Sequence, residues 1–366
     1  MHVPSLLPDE LHLGFVGRVM RLNGFTDTAS FRKNLLRMLP GAREVSIETI
    51  ATLAKMPLGR YAYHHSLMPF LHAIRLAHQA QYTHEDVTAW YGNVARLGRL
   101  TDEVSLCPGC VAEDEDFWGF TYWRRSHQIP GIDICPKHGS ALHRMTRTGA
   151  LHPPAQFLNK AVAVDSAIVA QARSNEIVRR YQEICLLFLE RGSPLPVDQV
   201  RAHLINRSTE LGLRACEVGK RPVLSDLIEE KAAGPRLWAN FPGLEGRAKG
   251  KFHHPVDGIM RGSHVAYPAQ AYALGLACLF DSAEEALLAM SQPIPKVQGI
   301  ERASLTGLPS EERTPNDHRL IRATRAFLLG GSLLEVCEQY HVTLAALETM
   351  LRGIGMNALG GSAYAM

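Results

Sequence analysis

The sequence predicts a mainly α, multi-domain protein in which helix-turn-helix units flank a small domain organised by a bound ligand. Three observations carry that prediction. Apolar residues recur at intervals of three and four through most of the chain, the period of helices that bury one face. The rhythm stops between Leu106 and Met145, where Cys, Pro, Gly, Trp and a run of acids replace it. A length of 366 residues gives room for roughly two or three domains with cores of their own.

Residues 1–105 read as an N-terminal helical domain with a helix-turn-helix rhythm. Ser30 precedes Phe31, Leu35, Leu36, Met38 and Leu39 at helical spacing, and Ser46 offers a cap before Ile50, Leu53 and Ala54. Pro57 and Gly59 break that second helix, and Leu67, Phe70, Leu71, Ile74 and Leu76 mark another. Residues 106–150 form the ligand-organised domain, and 151–290 a helical middle domain. Within the latter, Ile177 to Leu189 predicts an amphipathic helix, Gly192–Pro196 a linker, and Val197 to Glu230 two helices around Gly212 and Gly219. Residues 239–264, rich in Gly, Pro, His and basic side chains, predict an exposed loop feeding an apolar helix that starts near Val265. That stretch, Val265 to Phe280, is too short and too polar for a membrane span and reads as a core helix.

The Pro- and Gly-rich residues 291–318 predict a linker. Residues 319–366 then fit a C-terminal helix-turn-helix: Leu320 to Leu329, a helix from the capping box Ser332-Leu-Leu-Glu335 to Tyr340, a turn at His341-Val342, and Thr343 capping the last helix. Cys337 falls where the helices cross, with Val342 and Leu347 pointing inward.

The charge balance is 39 − 36 = +3, which supplies no broad field for holding DNA or an anionic membrane. Nucleic-acid or partner contact therefore falls to local patches. Arg247, Lys249 and Lys251 in the basic loop suit phosphate contacts; Arg319, Arg322, Thr343 and Arg352 are the corresponding candidates in the C-terminal unit. The face expected to read bases offers Ala345, Ala346, Glu348 and Thr349, which have little to recognise guanine or adenine with, so a protein-docking role for this unit stays open. The first residues carry no secretory pattern and no long apolar run occurs, so the expectation is a cytoplasmic protein that does not engage membrane. Seven cysteines fit a reducing compartment, and Cys185, Cys216, Cys278 and Cys337 read as buried free thiols.

The chemistry lies in the remaining three. Cys107-Pro-Gly-Cys110, then 24 residues, then Cys135-Pro-Lys-His138, gives two ligand pairs in which a tight turn aims both donors at one ion. Thiolates with an imidazole select Zn2+ over oxygen-loving cations. Four protein ligands leave no open coordination position, so the expectation is one structural ion per chain and a small structural zinc-finger domain. His127 and His143 break the paired spacing and read as surface or supporting histidines. The acids Glu113 to Asp116 cannot all face one ion and predict a solvated turn; no carboxylate triad appears elsewhere, so no catalytic residue is assigned and the chain reads as no enzyme.

Cys107-Pro-Gly-Cys110 with Glu113-Asp114, Trp118 and Trp123, followed by Cys135-Pro-Lys-His138-Gly-Ser-Ala-Leu142, resembles the TniQ/TnsD family of transposon target-selection proteins. Val3 to Leu22, Ile50 to Leu58 and the apolar stretch Tyr267 to Phe280 with Asp281 to Glu285 are similar to its other segments. Many members carry a second cysteine pair after the His-Gly segment; none occurs from His143 to Phe157, which keeps the expectation at one ion. The resemblance implies a non-catalytic adaptor that marks the insertion site and recruits the transposon AAA+ ATPase and, through it, the transposase. It further implies a target that is either attachment-site DNA or an RNA-guided CRISPR effector complex, and a homodimer in some members. The alternative on residues alone is a zinc-containing helix-turn-helix transcription regulator.

Overall fold

Capping chemistry sets where the first helices begin. In the computed structural model, which describes residues 1–39, 46–85, 103–261, 266–292, 319–320, 323 and 333–347, α1 spans His12–Leu22, α2 Thr28–Met38, α3 Ile47–Leu53, α4 Leu58–His65, α5 Met68–Leu71 and α6 Ala77–Ala80. Ser46 caps α3, as its sequence predicts, and the structure makes the cap a reciprocal box with Thr49. The cap of α2 is Asp27, whose carboxylate accepts from the Ser30 amide at 2.7 Å; Ser30 sits in the first turn instead. Phe15, Val19, Phe31, Leu35, Ile50 and Tyr61 form the core of this region. Gly17 lies where a β-carbon would fall 2.0 Å from the Leu151 carbonyl oxygen, so α1 presses its backbone onto the segment that follows the metal-ligand window.

The helix expected through Ile74 stops early. Ile74–Arg75 forms β1, paired in parallel with β5, Leu195–Pro196, so the segment expected as a linker is part of a two-stranded contact with Leu195 buried. Backbone pairing needs no apolar periodicity, which is why the sequence did not show it. A second sheet runs antiparallel from β2 (Glu103–Leu106) to β3 (His143–Thr146) to β4 (Val162–Ala163), with Leu106 opposite His143. It closes the two ends of the ligand window on each other.

Between β2 and β3 lies α7, Pro108–Trp118; α8, Ser166–Ser174, and α9, Glu176–Glu190, follow β4. Ile177, Val178, Tyr181, Ile184, Cys185, Phe188 and Leu189 are buried on one face of α9, at the spacing that predicts the helix. Asn175 caps it by accepting from the Val178 amide. Around α9 pack α5, α8 and α14, Ala269–Leu279, whose side chains are buried nearly all round. The middle region is completed by α10 (Val197–Glu210), α11 (Leu224–Ala232), α12 (Pro235–Asn240), α13 (His254–Asp257) and α15 (Ala283–Ser291). Val256, Ile259 and Met260 are fully packed, so the second half of the expected exposed loop belongs to the core. Cys185 and Cys278 are buried as expected and Cys337 half-buried, but Cys216 is exposed, on a turn.

The chain divides into two units, Met1–Ile294 and Pro295–Met366. Among the described residues of the second unit, Ala323, Val336 and Leu347 are buried, with Leu320, Cys337, Tyr340 and Val342 packed on them. The helix Leu333–Tyr340 ends at His341, which takes the left-handed conformation (φ 53°), and Thr343 caps the next turn by accepting from the Ala346 amide at 3.3 Å. Ser332, most of the expected linker and the end of the last helix lie outside the described residues. No helix among the described residues is long and apolar enough to cross a membrane.

Candidate metal centre

Two turns bring the four predicted ligands together. Cys107 is the N-cap of α7 with Pro108 at its first position, so the chain passes from β2 into the helix and Cys110 follows within the first turn. Cys135 and His138 flank a second turn. It is closed by the Cys135 amide donating to the Ser140 carbonyl at 2.8 Å and the Gly139 amide donating to the Cys135 carbonyl at 2.9 Å, with Gly139 left-handed at φ 63°. The donor atoms of Cys107, Cys110, Cys135 and His138 all lie within 4.8 Å of one another.

Four of the six edges of this figure have the lengths of a tetrahedral site. His138 Nδ1 is 3.5, 3.4 and 3.6 Å from the sulfurs of Cys107, Cys110 and Cys135, and the Cys110 and Cys135 sulfurs are 3.7 Å apart. A tetrahedral zinc-type site, with metal–sulfur bonds of about 2.3 Å and a metal–nitrogen bond of about 2.0 Å, has S···N edges of about 3.6 Å and S···S edges of about 3.8 Å. The four residues could therefore hold one metal ion with little movement. The three sulfurs are buried in the main hydrophobic cluster, alongside Ile129, Ile132 and Leu142. Gly109 adds to the fit: a β-carbon there would sit 3.0 Å from the His138 ring, so any other residue would make the imidazole give by a few tenths of an ångström.

Surrounding groups orient the donors. Glu113 Oε1 lies 3.0 Å from His138 Nε2, the nitrogen that faces away from the sulfurs, and its other oxygen takes Lys137. That hydrogen bond raises the His138 pKa and fixes the tautomer that leaves Nδ1 for a metal. The Ser140 hydroxyl is 3.3 Å from the Cys107 sulfur. His127, buried, holds Nε2 3.5 Å from the Cys135 sulfur and 3.9 Å from that of Cys110, outside the tetrahedron on one of its edges. Burial, aided by Arg124, lowers its pKa to about 4, so it stands there as a neutral imidazole able to donate to thiolate. His143 is on β3.

The acids Glu113 to Asp116, expected as a solvated turn, are on α7. Asp114 is buried and takes a bidentate pair from Arg124, 2.7 Å at each oxygen. The sequence alone did not show Glu113 as an orienting group, although its place three residues after Cys110 on one helix was the available signal. Replacing Glu113 with alanine is expected to weaken metal affinity about tenfold, the low end for a partially exposed orienting carboxylate. Competition against a chromophoric chelator measures it, and an unchanged affinity would deny Glu113 that role.

The window is tied to its neighbours on both sides. The Leu11 amide donates to the Trp123 carbonyl at 2.7 Å, and Asp9 accepts from Arg125 Nε at 2.9 Å and from the Ser126 hydroxyl. On the other side, Arg236 of α12 pairs with Asp133, and the Tyr181 hydroxyl donates to the Pro130 carbonyl at 3.0 Å.

The other residues singled out in the sequence stand apart from this centre. Arg247, with a side chain 3% exposed, pairs with Asp226 at 2.5 Å and Glu229 at 2.9 Å, so its charge is neutralised inside the fold. Lys249 and Lys251 are exposed beside it. Arg319 is exposed; the hydroxyl of Thr343 serves its helix cap; Arg322 and Arg352 lie outside the described residues.

Fold and centre together define a class: a mainly helical protein organised around a Cys3His cluster able to hold one metal ion. Residues 2–142 match the family model for TniQ. The chain is also 33% identical, over 98 residues, to the Transposon Tn7 transposition protein TnsD of Escherichia coli, a match covering 22% of this chain. It spans 19% of that protein's length.

Proposed function

We propose that this protein is a non-catalytic target-selection adaptor in DNA transposition, whose metal centre holds one structural Zn2+. The observation that supports this reading best is the extent of the TniQ match, which runs from the first helices to Leu142, four residues past the last metal ligand. Those helices and the cluster are one physical piece, joined through Leu11, Asp9, Trp123 and Arg125. Four protein donors fill a tetrahedron, so the ion shapes a surface and has no position for substrate. On this reading the chain links a target to the transposon AAA+ ATPase and transposase, in the cytoplasm.

The target is an RNA-guided CRISPR effector complex in preference to bare attachment-site DNA. The net charge is only +3, Arg247 is spent on Asp226 and Glu229, and Ala345 is what the last described turn exposes. The test is binding of the purified full chain, across a salt series, to random duplex, to candidate attachment-site DNA, and to a CRISPR effector complex and an AAA+ ATPase from the same element. Tight binding to the effector complex and ATPase with weak, salt-sensitive DNA binding supports the proposal. Specific DNA binding alone moves the target to DNA and returns Lys249, Lys251, Arg319 and Arg322 to the argument. Binding to none of these refutes it.

A further inference from the structure

The C-terminal end of α7 and the residue after its Gly119 cap carry three aromatic side chains in the open. Phe117 is 76% exposed, Trp118 43% and Phe120 37%, a concentration of large exposed rings in four consecutive positions. Phe117 and Trp118 meet edge to face at 4.7 Å, and Trp118 and Phe120 are 6.5 Å apart, so the rings form one platform. Clustered exposed aromatics mark interaction sites, where scattered ones do not.

The charge around the platform says what it takes. Glu115 and Asp116 are exposed on the same helix, while the nearby cations are engaged: Lys137 by Glu113, Arg124 by the buried Asp114. The helix ends at Gly119 with no basic residue in its last turn, which leaves the negative end of its dipole beside the rings. The shallow cleft beside the rings is lined by Glu113, Asp114, Asp116, Phe117 and Trp118 together with those two paired cations, Arg124 and Lys137. Phosphate is repelled by such a surface. A guanidinium is attracted twice, by the carboxylates and by the ring faces.

We infer that Phe117, Trp118 and Phe120, with Glu115 and Asp116, form a docking surface for an arginine-bearing segment of a protein partner. This adds a surface to the proposed adaptor role and does not depend on it. Phe120 already carries Arg18, its guanidinium carbon 5.2 Å from the ring centre and its charge held by Glu10, which shows the pairing within the chain and leaves Phe117 and Trp118 as the more open rings for a partner.

The test uses the full, metal-loaded chain and a labelled peptide of four Arg-Leu-Ala repeats, with lysine and glutamate counterparts. The expected order is arginine tighter than lysine, and no binding of the glutamate peptide. Phe117→Ala with Trp118→Ala should weaken arginine-peptide binding at least tenfold, and Glu115→Gln with Asp116→Asn several-fold. Val218→Ala, at an exposed site elsewhere, should change nothing, and unchanged metal content verifies that the variants are folded. Equal binding by wild type and the aromatic variant overturns the inference. So does loss of duplex DNA binding, or of self-association, in that variant, since either would assign the platform to a different occupant.

Discussion

Cys135→Ser is expected to remove the metal ion and, with it, the fold of the segment between β2 and β3. Binding at structural centres of this kind contributes on the order of 10–16 kcal/mol, comparable to the whole stability of an ordinary domain at about 5–15 kcal/mol. The segment has few other resources. Between the two strands only Val111 and Trp123 belong to the small cluster shared with Val104, Leu106 and Ala150, and Ile129, Ile132 and Leu142 reach the main core beside the three sulfurs. Loss should spread to the N-terminal helices, because Leu11 and Asp9 are held by the Trp123 carbonyl and by Arg125. Metal content by mass spectrometry should fall from one ion per chain to a small fraction. Proteolysis should open within residues 103–146, and thermal unfolding should begin earlier. A serine variant that keeps a full equivalent of metal and melts like wild type would sink the cluster as the organising element. Its neighbour His127 makes a second variant informative: Cys107→Ser lies across the cluster from that imidazole and should fail as completely.

What the sequence revealed and what it hid divide along a physical line. The clustering of Cys107, Cys110, Cys135 and His138 was legible because two residues between donors is the spacing a turn imposes, and the structure closes both pairs with turns of that kind. The helix α9 was legible because its buried face repeats at 3.6 residues. The cap at Ser46 was legible because capping is chemistry between near neighbours. The contacts that escaped notice are long-range or polar. Pairing of Ile74 with Leu195 depends on backbone groups over a hundred residues apart in the chain, and neither short strand alternates. Arg247 looked like a surface cation because nothing in its own segment announces Asp226 and Glu229. Composition marked 254–260 as loop, yet Val256, Ile259 and Met260 fill the core, since proline at the start of a short helix and glycine at its end punctuate structure as readily as they break it. Glu113 lies between: its helical spacing from Cys110 was visible, its approach to His138 from the other turn was not.

Arg236→Met should destabilise the protein by about 3–5 kcal/mol while leaving its metal content intact. The guanidinium is 3% exposed and the Asp133 carboxylate 2%. It also donates to the Gly131 carbonyl and lies over the Tyr181 ring at 5.2 Å. Methionine fills similar volume but leaves Asp133 with Arg144 as its remaining partner, at 2.5 Å and with a side chain 32% exposed. The cost is therefore that of a buried carboxylate stripped of its better partner, and Arg144 holds it toward the low end of the range. Because Asp133 lies two residues before Cys135 on the loop docked against α9 and α12, the damage should loosen that docking without breaking the ligand turn. Urea unfolding of the metal-loaded chain measures the loss. Asp133→Asn combined with Arg236→Met should recover part of it, since removing the charge removes the penalty for stranding it. A single variant within about 1 kcal/mol of wild type, or a double variant no better than the single, would mean that this pair is not what seats the metal module on the helical core.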